Sequence, residues 1–288
     1  MNILAFGEIL WDVFPDGKHL GGASLNYGAH LARHGHAVYP VSALGADSYG
    51  EEALEVLARW NLKKDLVATV ADKQTGKCIV TLDAEGMPKY DLLRDVAYDY
   101  IPATVAGQSF DVLYFGTLAM RQDYNRASLT ALMQNNKFTH IFADINIRPP
   151  FQFPETTDFA AKNATILKVS LEELPEVARL LQMEEAEPAV FAKALADRYE
   201  NLQYIIITLG GDGAYLLDCK AQKEYSCPGV KVAVVSTVGA GDSFSAAFTD
   251  RLMAGCNLED CLAYAARVAA YVVSQQGAVP EYSPADLQ

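Results

Sequence analysis

Ser236-Thr-Val-Gly-Ala-Gly-Asp-Ser-Phe-Ser-Ala246 is the stretch whose residue types and spacing point most clearly to chemistry. The run Val232–Val235 reads as a strand leading into a loop with two glycines. A helix follows directly, with Phe244, Ala247, Phe248 and Leu252 on its apolar side. Gly239 and Gly241 let the backbone turn without a Cβ clash. The amides of Gly239, Ala240 and Gly241, with those of the first helical turn, then point at one spot. Free N–H groups and the helix dipole make that spot positive, so it suits an anion. Asp242 comes next. A carboxylate beside an anion hole makes sense as the base that deprotonates a hydroxyl attacking a phosphate. It makes equal sense as a helix N-cap, a role Asp fills routinely.

Two more segments carry ligand-facing residue types. Gly21-Gly-Ala-Ser-Leu-Asn26 opens a helix after the strand and loop Phe6-Gly-Glu-Ile-Leu-Trp-Asp12. Its glycines allow close backbone approach, and Asp12 and Asn26 offer polar groups to hydroxyls. Gly21-Gly22 alone is also an ordinary flexible helix entry. Thr208-Leu-Gly-Gly-Asp-Gly213 ends an apolar run and turns sharply. It either cradles a nucleotide or is a plain β-turn.

These residues must be positioned by a larger frame. Apolar runs recur at Ile3–Phe6, Val38–Ala43, Val112–Phe115, His140–Asp144, Thr165–Val169 and Tyr204–Leu209. They are apolar on both faces, as strands covered on both sides are. Helical patterns lie between and after them: Ser24–His34, Glu51–Trp60, Ala127–Asn135, Pro188–Tyr199, Asp242–Ala254 and Leu258–Ser274. The alternation predicts a mostly parallel sheet with helices on both faces, in one domain over 1–288. Gln74–Ile101 breaks the rhythm. Lys77–Asp83 and Lys89–Leu93 flank Ala84-Glu-Gly-Met-Pro88, which reads as a hairpin too polar for the main sheet. A small β lid over 74–101 is expected, of the kind that closes over substrate. A merely decorative hairpin is the alternative.

Composition narrows the classes. Of 288 residues, 51% are hydrophobic and 20% charged, so the chain is not disordered. Asp and Glu number 36 against 23 Lys and Arg, a net charge of −13. Nucleic-acid backbones and anionic membrane surfaces need a basic field, so neither is an expected partner. No apolar run reaches the roughly 18 residues a membrane span needs. Met1–Leu10 has no basic residue before its apolar stretch, so it does not read as a secretion signal, and a cytoplasmic location is expected. Cys78, Cys219, Cys227, Cys256 and Cys261 are odd in number and lack a CxxC spacing. They read as reduced buried thiols rather than disulfides or metal ligands. His30, His34 and His36 read as a solvated helix end before the Gly35 stop.

Taken together, the motifs resemble the ribokinase-like (phosphofructokinase-B type) carbohydrate kinases, in consistent order along essentially the whole chain. Gly21-Gly22…Asn26 resembles the family's sugar-binding motif. Thr237-Val-Gly-Ala-Gly-Asp242 resembles its DTxGAGD motif. Asp144-Ile-Asn146-Ile-Arg148 is similar to the D-x-N-x-R segment of the fructokinase branch. Lys168-Val-Ser-Leu-Glu-Glu173 is similar to the K-x-[NS]-x-x-E segment, and Thr208–Gly213 to the T-x-G-x-x-G nucleotide loop. Gly7–Asp12 and Arg94–Asp99 also look like fructokinases.

The resemblance implies a three-layer α/β/α fold with a β lid, and an ATP-dependent kinase acting on a primary hydroxyl, with fructose the expected sugar. Asp242 would be the base, and the amides of Gly239, Ala240 and Gly241 would hold the γ-phosphate. Asp12, Gly21, Gly22, Asn26, Asn146 and Arg148 would bind sugar. Lys168, Ser170, Thr208, Gly210, Gly211, Gly213 and Gly241 would contact the nucleotide. Glu173 would act on Mg²⁺ through water, and lids of two copies would pair in a homodimer. Ser236 stands where the family carries an Asp that helps form a monovalent-cation site, so a potassium site is not carried over. Ser170 replaces a frequent Asn, and Ala266 stands where an Asn often lies beside adenine. A kinase for another small sugar or sugar acid, such as ribose or 2-keto-3-deoxygluconate, is the alternative, as is a non-catalytic sugar-binding regulator. A dinucleotide oxidoreductase would need GxGxxG after the first strand, where Gly7-Glu-Ile-Leu stands. A Walker loop fails as well, because Cys78 follows Gly76-Lys77 and position 71 is Ala.

Overall fold

The structure is a computed structural model, and it describes residues 1–82, 88–184 and 187–287. The chain opens with β1 (Asn2–Phe6), β2 (Leu10–Phe14), β3 (Gly17–Gly21), α1 (Ala23–Arg33), β4 (Ala37–Gly45), α2 (Ser48–Arg59) and β5 (Val67–Val70). Next come β6 (Gly76–Leu82), β7 (Pro88–Leu92), β8 (Ser109–Gly116), α3 (Asp123–Asn135), β9 (Lys137–Asp144), α4 (Pro154–Asn163) and β10 (Ile166–Ser170). It closes with α5 (Leu174–Leu181), α6 (Pro188–Arg198), β11 (Tyr204–Thr208), β12 (Gly213–Asp218), β13 (Lys223–Pro228), α7 (Ala240–Met253) and α8 (Leu258–Val273).

Nine strands form one sheet in the order β13-β12-β11-β10-β9-β8-β1-β4-β5. It is parallel from β11 through β5, and β12 and β13 add an antiparallel edge. Alternating residues of one strand feed two cores. On β1, Ile3 and Ala5 join Leu25, Tyr27, Phe248 and Leu262 of α1, α7 and α8. Leu4 and Phe6 face the other way, toward Leu129, Ala160, Val177 and Phe191 of α3–α6. The strands are apolar on both faces because helices cover both. Truncating a fully buried ring such as Phe248 costs about 3–5 kcal/mol. The carboxyl ends of the parallel strands share one edge of the sheet, where open α/β sheets hold ligands. Among the described residues no helix is long and apolar enough to cross a membrane.

The smaller sheet differs from a lone hairpin. β6 and β7 pair antiparallel, but β2 pairs parallel to β6 and antiparallel to β3, giving the order β3-β2-β6-β7. Asp12 lies opposite Cys78 in the β2–β6 register. The turn expected at 84–88 falls mostly outside the described residues, which resume at Pro88. Val96, Ala97, Tyr98 and Ile101 are fully buried, so the end of the 74–101 segment is packed into the body of the protein.

Two expectations are corrected. Val232–Val235 is not a strand. β13 already closes the sheet edge, and the run is tied only where Val235 N and Ser236 N donate to the Val273 carbonyl. Val234 and Val235 are largely exposed. Nor are the three histidines a solvated helix end. His30 is fully buried, while His34 and His36 both contact the Asp250 carboxylate of α7. The end of α1 is covered by α7, which a one-dimensional reading does not show. The cysteines are free thiols, with Cys78, Cys227 and Cys261 buried.

Candidate active site

The start of α7 resolves what Asp242 does locally. Gly239 is the N-cap, in the left-handed region at φ +79°, so glycine is favoured there. Asp242 sits three residues further on, in the first turn. The first intrahelical bond runs from Ser243 N to the Gly239 carbonyl, which leaves the Gly241 and Asp242 amides ahead of the ladder. The Asp242 carboxylate is not a cap. Its Oδ2 accepts a hydrogen bond from Asn26 Nδ2 at 2.8 Å. The residue is only 8% exposed. Burial pushes its pKa up to about 7, against the lowering effect of the Asn26 bond, with Asp144 adding to the rise. A carboxyl with that value is a competent proton acceptor near neutral pH.

Beneath this turn lies a buried ion pair. Lys168 Nζ donates to both Asp144 oxygens, at 2.9 and 2.7 Å. Burial pulls the Lys168 pKa down, but the Asp144 carboxylate outweighs it and holds the ammonium above the usual lysine value. The two residues are register partners on β9 and β10. Asp144 also accepts from Tyr114 Oη and Ser245 Oγ. A Cβ on Gly241 would lie 3.2 Å from Lys168 Nζ, so the glycine backbone rests on the ammonium. The Lys168–Asp144 pair therefore sits directly under the first turn of α7, with its ammonium toward Gly241.

Glu173 knits the neighbouring loops together. Its Oε2 accepts from Ser170 N and Oγ, at 2.9 and 2.8 Å, and its Oε1 from Ile147 N at 2.6 Å. Oε1 keeps one lone pair for a further donor, such as a metal-bound water. Ser170 is paired with Thr208 in the sheet, and Leu171 N donates to the Thr208 carbonyl. Thr208 leads into the turn Gly210–Asp212 and then β12. Gly210 and Gly211 face open space, whereas Gly213 is pressed against the Cys227 carbonyl of β13.

The amino end of α1 forms the opposite wall. Gly22 has φ +123°, and a Cβ there would fall 2.3 Å from the Glu8 carbonyl oxygen, so only glycine fits. Gly21 faces Asp12 Oδ2. Burial raises the Asp12 pKa, while a hydrogen bond from Cys78 opposes the rise. Asn26 Oδ1 is buried without a partner. Asn146 takes φ +41°, which Asn tolerates better than most residues, and is half-buried. Arg148 is exposed, and its charge acts on Asp12, Glu8 and Asp242 alike.

Three residues of the site escape sequence reasoning. Glu8 is buried, its pKa raised by desolvation, and its Oε1 accepts from Ala23 N at 2.8 Å, satisfying the first helical turn of α1. Asp144 belongs to a recognisable motif, but the motif alone gives it no task. Ser245 bridges Asp144 and the Gly241 carbonyl. The available signal was a carboxylate at the end of a strand otherwise buried, where an unpaired charge would be costly.

The family model described as "pfkB family carbohydrate kinase" matches residues 6–285. "Probable fructokinase-5" of Arabidopsis thaliana is 26% identical over 99% of this chain and 96% of that protein. The 2-dehydro-3-deoxygluconokinase of Haemophilus influenzae is 27% identical over 90% of this chain and 87% of its own. Among solved structures, aminoimidazole riboside kinase from Salmonella enterica, with aminoimidazole riboside and an ATP analogue, superposes with a TM-score of 0.84. The identity is 24%, covering 100% of this chain and 98% of that one. A Vibrio cholerae fructokinase bound to fructose, ADP and calcium gives 0.82 at 21% identity, covering 99% and 97%.

Proposed function

The chain belongs to the pfkB family of carbohydrate kinases, and from that premise we propose that it transfers the γ-phosphoryl group of ATP to a primary hydroxyl of fructose. The buried Asp242 carboxyl beside the amides that open α7 carries this reading. Its pKa of about 7 suits it to take the hydroxyl proton as the oxygen attacks phosphorus. Asn26 orients it through the bond to Oδ2. Of the amides expected to meet the charge that builds on the transferring group, Ala240 N already donates to the Thr237 carbonyl at 3.3 Å, so the Gly241 and Asp242 amides ahead of the helical ladder take that task, with the Lys168 ammonium beside Gly241. Asp12, Gly21, Gly22 and Asn26 line the sugar side, and the unpartnered Asn26 Oδ1 is an acceptor for a sugar hydroxyl. The loop from Thr208 to Gly213 lies on the nucleotide side, with Ser170.

Magnesium fits this arrangement as an ion held chiefly by phosphate. Among the described residues no group of three or more His, Cys, Asp or Glu side chains could hold a metal. Glu173 would reach it through water at the free lone pair of Oε1. When bound, Mg²⁺ would supply positive charge that offsets the charge of the nucleotide phosphates.

Fructose is favoured by the similarity to the Arabidopsis protein and by the segments at Asp144–Arg148 and Arg94–Asp99. One observation favours a sugar acid instead. Arg148 presents an exposed guanidinium beside Asp12 and Asp242, a natural partner for a carboxylate. A coupled ADP-release assay over fructose, ribose, 2-keto-3-deoxygluconate and aminoimidazole riboside decides. Highest kcat/KM on fructose is expected. A preference of tenfold or more for another compound overturns the fructose reading, and no turnover on any sugar overturns the kinase reading.

A further inference from the structure

One buried titratable group lies outside the machinery just described and touches it at a single remove. His30 stands one helical turn beyond Asn26 on α1, fully buried. Its Nε2 lies 3.0 Å from the Ala278 carbonyl oxygen, and its Nδ1 lies 2.9 Å from Tyr282 Oη. A carbonyl only accepts, so Nε2 carries the proton. In the neutral ring Nδ1 then accepts from the Tyr282 hydroxyl. Burial lowers the His30 pKa to about 4, in keeping with a neutral ring.

Ala278 is where this contact meets the site. A Cβ on Gly239 would lie 2.7 Å from Ala278 Cα, Cβ and carbonyl oxygen. The Ala278 backbone is thus seated on the N-cap of α7, the residue from which the anion-hole amides start. One helix therefore grips the site twice. Asn26 holds the Asp242 carboxylate from one side, and His30 holds the chain that backs Gly239. The tail between Val273 and Pro284 has no regular secondary structure of its own to keep it there.

We propose that His30 is a positioning residue: its imidazole pins the Ala278 carbonyl, and so the backbone that backs Gly239, to keep the amides that open α7 aimed at the transferring phosphoryl group. An apolar side chain of similar bulk would fill the space but leave the carbonyl unpaired and loosen the stretch at Ala278, since the bonds that Arg33 and Tyr271 make to the tail fall further on, at Glu281 and Tyr282. Small misplacements of a preorganised donor set cost about 10–10² in rate.

The test compares His30→Leu, His30→Gln and Tyr282→Phe in the full chain. Two readouts are used: kcat and sugar KM, and amide hydrogen exchange. His30→Leu is expected to lower kcat about tenfold or more while leaving sugar KM within about twofold. It should also raise exchange about tenfold over residues 237–243 but not over β10. His30→Gln, which keeps a donor for the carbonyl, should restore most of both. Tyr282→Phe, which frees Nδ1, should fall between. Unchanged kcat and exchange in a folded His30→Leu protein would overturn the proposal. So would a loss that is uniform across the fold and not rescued by Gln. If His30→Leu does not fold, the exchange pattern of the other two variants decides. The kinetic arm rests on the kinase reading. The exchange arm does not, so it tests His30 even in a chain inactive on every sugar.

Discussion

Asn26 and Asp242 lie 216 positions apart in the chain and meet at 2.8 Å, with the α1 amide donating to the α7 carboxylate. The contact joins the segment assigned to sugar binding with the residue assigned to proton transfer. It leaves one Asp242 oxygen clear of Asn26 and keeps the buried carboxyl from drifting to a higher pKa.

Replacing Asp242 with Asn removes the base and keeps the volume. Turnover is expected to drop by about 10²–10⁴, with nucleotide affinity retained. Near-normal turnover would end the base assignment. Stability should move the other way. Below the unfolded value of 3.8 the wild-type carboxyl is neutral in both states. Between 3.8 and about 7 the folded protein keeps the proton that the unfolded chain has lost, so stability falls as pH rises through that window. The Asn variant escapes this loss. At pH 8 it should melt at least about 4 °C above the wild type, at about 1.4 kcal/mol per pKa unit, and the gap should close toward pH 4. Equal melting temperatures at pH 8 would show that the carboxyl is not buried as described.

The same pKa sets the activity profile. kcat/KM for sugar should be flat above about pH 7 and fall about tenfold per unit below it, because only the ionised carboxylate accepts a proton. Asn26→Ala deletes a bond that favours the charged form. The acid limb should therefore move to higher pH by about one unit. A limb that stays in place, or moves down, contradicts the role given to the Asn26 amide.

The four-stranded sheet is proposed as the lid. Saturating sugar is expected to slow hydrogen exchange in β2, β6 and β7, since Asp12 sits on β2 opposite Cys78. Replacing the outer part of the β6–β7 hairpin by a short turn should raise the sugar KM more than it lowers kcat. Exchange that does not respond to sugar speaks against closure. Sedimentation of the same variant tests whether two copies meet through this sheet: a wild-type dimer that persists without the hairpin rules that interface out.

Potassium should matter little. The Ser236 hydroxyl accepts from Val238 N, and Val235 N and Ser236 N donate to the Val273 carbonyl at the end of α8, so the loop is held by hydrogen bonds within the protein. Ser236 also brings no charge to balance a cation. Raising potassium from zero to about 0.1 M at fixed ionic strength, balanced with a bulky organic cation, is expected to change kcat less than twofold. Activation of tenfold or more would reveal a site built from carbonyls.

The strands of the parallel sheet were legible because burial on both faces leaves continuous apolar runs, as in Ile3–Phe6 and Tyr204–Leu209. The helix after Gly239 was legible for a similar local reason, since glycine at a left-handed N-cap is a short-range constraint. α4 and α5 were missed: each is ten residues or fewer, and short helices are held mostly by packing rather than by their own propensity. Val232–Val235 misled because strand-like composition needs a neighbouring edge to pair with. Among the candidate site residues, Gly22, Asn26 and Asp242 stood out in compact local patterns, and Glu173 came only from the family resemblance. Their state was not legible. Whether Asp242 caps a helix or serves as a base was evenly open along the chain; the tertiary structure puts Gly239 at the cap, brings Asn26 to the carboxylate from 216 positions away and buries it so that its pKa rises to about 7, which is what supports the proposed base. The same holds for Lys168 under Gly241, for Asp144 beside Lys168 and for His30 behind Ala278. A carboxylate, an ammonium or an imidazole takes its charge and its partner from what surrounds it in space, and the sequence states only what it is covalently joined to.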